Sequence, residues 1–345
     1  MVNVYMNPEK LEERISGLEN FAQSVIEAQG SVNSMYNEDS KEPIESGESL
    51  ASLQSAVSKA VRAIEGHAEE LRTCKTTMVN LNSNGVASHD LEGGINIEVP
   101  DDSAGLETAD KFQKWAQGTT DANDLRSGKG RLPSGRSFDE VTESMKANKG
   151  DTTYANSFID RAGPENLTKL GDKNPKNNRE APIVGEILAT ASQNWDKEKS
   201  KKNSDLIISS VDEEKEWDRI MILNHMIGHH DLNGDGVNDL KFGTDFLVSM
   251  GEAAEKLPIQ EIQHYHLPSQ PEYAPHLDDY FTPDHDPLWG IADAMVPNEE
   301  AARRFLTPNG GNAKDVERLN TLVSRFPVGP NSWTNTWAAL SSSTA

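Results

Sequence analysis

Between residues 8 and 78, apolar side chains recur at steps of three and four, a spacing that puts them on one narrow face of a helix. Leu11, Ile15, Leu18, Ala22 and Val25 make the first stripe. Leu50, Leu53, Val57, Val61, Ile64, Ala68 and Leu71 make the second, which runs on to Met78. Asn7-Pro8 supplies the start, an Asn cap followed by Pro at the first helical position. The first helix is expected to end near Gly30, and the polar stretch 31–47, with Asn37, Pro43 and Gly47, to connect it to the second. Two such stripes cover each other best side by side, so residues 1–80 read as an antiparallel helical hairpin. The faces are too narrow for an independent core. A protein partner or self-association through the hairpin is therefore implied.

Residues 81–103 are rich in Asn, Gly, Ser and Asp and read as a linker, with a short strand possible at 95–99. From 104 to 345 helical and polar stretches alternate, which predicts an all-α domain. The fold class expected is mainly α, a hairpin followed by a multi-helix bundle; the hydrophobic fraction of 35% adds long loops. A helix at 104–117 carries Phe112 and Trp115, and a Gly-rich loop follows at 118–136. Lys129, Arg131 and Arg136 lack the G-x-x-x-x-G-K-[ST] pattern of a phosphate loop, so they read as solvated. Ser137 with Glu140 forms a capping box, and Asp151 caps the segment holding Tyr154, Phe158 and Ile159. Helices are expected at 181–198, from a Ser210/Glu213 capping box to Ile227, through Phe246–Leu257, from Asn298 to Phe305, and at 314–325. Stretches 196–206 and 258–287 read as loops, and Trp333 and Trp337 as the cover of the core's last open face.

The sharpest chemistry lies at 231–239, DLNGDGVND. Asp231, Asn233 and Asp235 alternate, so three side-chain oxygens can turn inward. Gly236 permits the bend, Val237 offers its carbonyl, and Asp239 closes the set. The pattern resembles the calcium loops of integrin-repeat and dockerin-like proteins. Position twelve is Phe242 where a bidentate Glu belongs, which predicts weak, extracellular-type affinity. The ion's expected role is structural, holding the angle between the flanking helices. The alternative is a pair of Asn-Gly and Asp-Gly turns with solvated acids.

A net charge of -23 argues against nucleic acid and anionic membranes as partners. No apolar run approaches the ~20 residues that span a bilayer. Cys74 stands alone, so no internal disulfide or thiolate zinc cluster is expected. The N-terminus has neither the basic region nor the apolar core of a cleaved signal, so a secreted or cell-surface location requires another export route from the cytoplasm.

The hairpin's length and position resemble the WXG-type hairpins exported by type VII secretion systems, although the connection carries no Trp-x-Gly. Three further landmarks, TYANSFIDRAGPENLTKLG, GTDFLVSMGEAAEKL and DPLWGIADAMVPNEEAARRFL, resemble an uncharacterised actinobacterial family of type VII-associated helical proteins, some of them toxin-bearing. The resemblance implies a non-enzymatic type VII-associated protein, or the carrier portion of a polymorphic toxin, with the secretion machinery as a partner. It supplies no catalytic residues.

A rival comes from His225 and His229, one helical turn apart and followed by His230. Such a pair can share one zinc, which would make a zinc-dependent hydrolase. The Glu of H-E-x-x-H is missing, and helix-end histidines also suit the helix dipole. A third reading is an intracellular structural or dimerisation protein.

Overall fold

Pro8 opens a helix that runs to Asp39, α1, and a second, α2, spans Gly47–Ser83. The computed structural model describes residues 2–39, 47–89, 93–99, 106, 108–127, 132–171, 180–212, 217, 219–228, 230–234, 237–265 and 286–323. Asn7 caps α1, its Oδ1 accepting from the Glu9 and Lys10 amides at 3.1 and 3.0 Å. Cross-helix bonds fix the hairpin's direction: Lys75 reaches Glu12, Arg72 reaches Glu19 and Gln54 reaches Asn33. As one partner's number rises the other's falls, so the helices are antiparallel. Ile15, Ala22, Val61 and Ala68 are buried between them. The first helix continues nine residues beyond Gly30, because residues 31–39 contain no breaker. Leu53 leaves the interior stripe and is exposed.

The 81–103 stretch is more than a linker. It holds strands β2 (Ser88–His89) and β3 (Ile95–Val99), and β1 (Val2–Met6) lies against β3. The sheet order is β1-β3-β2, both pairings antiparallel, with Val2 opposite Val99 and Met6 opposite Ile95. Alternation sends Ile95, Ile97 and Val99 inward. There they meet Met6, Met78, Leu81, Phe112, Trp115 and Ala116 in a small core. Helix α3 (Ala109–Ser127) supplies the last three, Phe112 and Trp115 stacking at 5.9 Å. The chain divides into compact units at Met1–Thr120 and Asp121–Ala345, so the boundary falls within α3 and not at 103. Three β-branched inward residues, Ile95, Ile97 and Val99, make the strand. A stretch judged on its Asn, Gly and Asp content conceals them.

The second unit is helical. It contains α4 (Phe138–Asn148), α5 (Thr152–Ala162), a 3₁₀ turn at Pro164–Asn166, α6 (Leu167–Gly171), α7 (Glu180–Ser192) and α8 (Lys197–Asp212). Then follow α9 (Arg219–Ile227), α10 (Thr244–Ala254), α11 (Ile259–Tyr265), α12 (Pro287–Met295), α13 (Glu299–Leu306) and α14 (Ala313–Val323). The fold is mainly α, a hairpin and a helical bundle. The Ser137/Glu140 capping box, the Asp151 cap and the Asn298 cap all form. One continuous apolar core joins Tyr154 and Phe158 of α5 to Ile187 of α7, Leu223 of α9, Phe246 of α10, Ile291 of α12 and Phe305 of α13. Gly185 lets α7 and α9 approach; a Cβ there would stand 1.8 Å from the Met226 carbonyl oxygen.

Several expectations change here. Residues 118–127 continue α3, and 197–206 belong to α8. That helix buries Ser200, Asn203 and Ser204 before Ile207, Ile208 and Val211, so its inward face is polar for a whole turn and shows no apolar period. Ser210 lies inside α8, donating to the Ile207 carbonyl, and caps nothing; Glu213 lies outside the described residues. The predicted loop at 258–287 contains α11 and the start of α12. Asp286 caps α12, with Pro287 at its first position, a signal the sequence carries openly. Trp333 and Trp337 lie outside the described residues. Among those residues no helix is long and apolar enough to cross a membrane.

Candidate functional site

The 231–239 loop leaves α9 and leads toward α10. Asp231 Oδ1 accepts the Gly234 amide, three residues on, at 2.6 Å, and Gly234 takes φ +83°, a conformation that favours glycine. Asp239 faces back across the loop. Its Oδ2 accepts the amides of Leu232 at 2.6 Å and Asn233 at 3.2 Å, and its Oδ1 accepts Asn233 Nδ2 at 2.9 Å. Three of the roughly four acceptor directions of this carboxylate are thus taken by its own loop. Val237 is exposed. Asp235 and Gly236, the third acid and the bend, lie outside the described residues.

The donor types fit a hard cation: two carboxylates and an amide oxygen on one short loop. Binding would require the Asn233 amide to turn its oxygen inward, where its nitrogen now donates. Among the described residues no group of three or more His, Cys, Asp and Glu side chains is gathered for a metal. The loop is pinned from beneath by buried Asn238, which donates to the Ile227 carbonyl at 2.8 Å and to Asp293 of α12 at 3.1 Å. Helix α9 packs on α7 and α12, and α10 packs on α8, α12 and α13. The flanking helices therefore share α12 as a support. An ion in this loop would brace the loop on α12, not clamp two rods against each other.

The histidines divide. His225 is exposed on α9 and His229 lies outside the described residues. His230 is buried, and its Nε2 donates to the carbonyls of His225 at 3.1 Å and Met226 at 3.2 Å. Burial holds the imidazole below its usual range, against the pull of those two carbonyls. This ring satisfies the last turn of α9, as helix ends require. Of the downstream histidines, His264 falls in α11, and His266, His276 and His285 lie outside the described residues.

On the hairpin, Phe21, Ala28, Val32 and Met35 lie at steps of seven, four and three on one face of α1, all exposed. Phe21 is 58% exposed, Val32 47% and Met35 67%. Leu53 of α2, 55% exposed, stands level with this row, next to the Gln54–Asn33 bond.

The most elaborate polar cluster is one the sequence did not single out. Asp121 and Asp124, one turn apart on α3, are fully buried. Arg136 bridges them, its Nη2 2.6 Å from Asp121 and 2.7 Å from Asp124. Asp121 also accepts from Tyr154 Oη at 2.6 Å and Ser144 Oγ at 2.7 Å, and Asp124 from the Ser134 amide and hydroxyl. Burial and then the Asp121 charge push the Tyr154 phenol far above its ordinary value. Burial pulls the Arg136 guanidinium down, but attraction to Asp121 and the bonds to both acids leave it above its usual range. Arg136 is thus no solvated loop cation; Lys129 and Arg131 lie outside the described residues. The available signal was the i,i+3 pair of acids in a stretch that can be helical. With every named member bonded, the cluster ties α3, α4 and α5 together and offers no reactive group.

Comparison with known families matches residues 1–345 to DUF6571, a family of unknown function. No curated protein and no solved structure matches the chain.

Proposed function

The chain belongs to the DUF6571 family, and within it we propose a non-enzymatic interaction protein whose N-terminal hairpin pairs with another protein. The observation that carries this reading is the exposed apolar row Phe21, Val32 and Met35, with Leu53 beside it. Isolated exposed apolar residues are ordinary, but a row at helical spacing on a hairpin whose other exposed positions are mostly polar is what a covering helix fits. Type VII-associated export without a cleaved signal, including service as the carrier portion of a polymorphic toxin, is the finer reading. It is supported by the antiparallel hairpin and by the three ordered landmark motifs. The test is export: the protein accumulates in culture supernatant of a strain with a working type VII system and disappears when that system is deleted. Supernatant levels indifferent to the deletion would remove the type VII reading. Intact export with Phe21→Asp and Met35→Asp together would remove the hairpin surface from it.

The second element of the proposal is a structural calcium ion at Asp231, Asn233, Asp235, Val237 and Asp239. It is supported by the oxygen-bearing side chains turned into one loop and by that loop's anchorage on α12 through Asn238. Calcium at ten times its dissociation constant is expected to stabilise the body by about 1.4 kcal/mol, roughly 3–5 °C in Tm. The rise vanishes in Asp231→Ala. No rise, or one that survives this substitution, excludes the ion from the loop.

A further inference from the structure

Within the first unit, a half-open cavity of about 620 Å³ lies beside α2. That volume is within the ~300–1,000 Å³ usual for small-molecule sites. Leu71 and Met78 of α2, Val99 of β3 and Phe112 of α3 give it apolar walls, so three elements that the sheet and hairpin hold together frame it. Its charged lining is confined to one place on the rim, where the His67 ring lies 3.2 Å from Glu70.

We propose that this cavity binds a single-chain amphiphile with an ammonium head, the tail among Leu71, Met78, Val99 and Phe112 and the head at Glu70. Two observations select that head. Glu70 is the acid among the lining residues, and its charge reaches inward, where it adds to burial in raising the Cys74 thiol. The chain's net charge of -23 also opposes entry of an anionic head and attracts a cationic one. The apolar walls contribute by removing the tail from water, an effect that grows with the tail area covered. The site is independent of the hairpin's exposed row, since Phe21, Val32 and Met35 do not line it.

The experiment uses the full chain and the neutral fluorophore N-phenyl-1-naphthylamine, displaced by dodecylammonium or by dodecanoate, both kept below micelle formation. The expected result is one saturable site per chain that prefers dodecylammonium by roughly fivefold, the discrimination a rim ion pair supplies. Glu70→Lys reverses the preference, and its exposed position leaves the fold intact. Cys74→Trp, which fills the cavity, abolishes displacement. Absence of saturable binding overturns the proposal. So does equal affinity for the two heads, a preference unchanged in Glu70→Lys, or several sites per chain that persist in folded Cys74→Trp.

Discussion

Tyr154 and Phe21 are both aromatic side chains on helices, yet one is sealed from water and the other is 58% exposed. Tyr154 belongs to a body whose continuous core also encloses two aspartates, each matched by donors from other elements. Phe21 belongs to a hairpin that buries Ile15, Ala22, Val61 and Ala68 between its helices and leaves a second apolar row outside. Both regions follow the same packing rule, and they differ in how many neighbours each helix has. A helix inside the body such as α7 packs on α4, α5, α6 and α9, so its apolar residues are spent on its own fold. A helix in the hairpin has one neighbour along most of its length, so its second row is available to another molecule.

The sharpest way to break this comparison is Asp121→Ala. Removing this member of the buried ion network leaves Arg136 with Asp124 alone and strips Tyr154 and Ser144 of their buried acceptor, and is expected to cost ~3–5 kcal/mol. Hydrogen exchange should place the loss in the second unit and leave residues 8–83 unchanged. Tyr154→Phe removes a single donor to a charged acceptor and should cost about 1.5–3 kcal/mol in urea denaturation. It also has a pH signature. The folded phenol sits well above its ordinary value, so its contribution is complete below about pH 10. It is lost as pH rises beyond that, because the unfolded chain releases the proton first. The alkaline fall in wild-type stability should therefore be shallower in Tyr154→Phe. Ser137→Ala breaks the capping box of α4 and is expected to lower stability by ~1 kcal/mol. Phe21→Ser should have the smallest effect on stability, within about 0.5 kcal/mol by thermal denaturation, since the side chain is solvated. A large loss there would mean that Phe21 serves the hairpin's own fold.

Where burial and helical period coincide, the chain could be read directly. The hairpin stripes, the capping box at Ser137, the Asp151 and Asn298 caps and the helix around Phe246 rest on local chemistry. Where a helix buries polar residues the period disappears. Ser200, Asn203 and Ser204 hide the first half of α8, and Asp121 and Asp124 look like solvated acids until Arg136, fifteen and twelve positions on, arrives beside them. The linker reading of 81–103 failed for a long-range reason: β3 is ordered by β1, some ninety residues earlier. The hydrogen-bonded turn from Asp231 to Gly234, with Asp239 folded back onto it, joins residues that are near neighbours in sequence. The loop's anchorage on α12 was not legible, because Asn238 finds Asp293 only in three dimensions.

The exposed row on α1 is the centre of this account, and a photo-crosslinking amino acid placed at Phe21 interrogates it in the living cell. Gln23 is the control: it lies about 200° away on the same helix, bonded to Glu27 on the solvated side. The prediction is one discrete protein adduct, with a partner or a second copy of the chain, from position 21 and none from position 23. Equal adducts from both positions, or none from Phe21 in cells that export the protein, would contradict it.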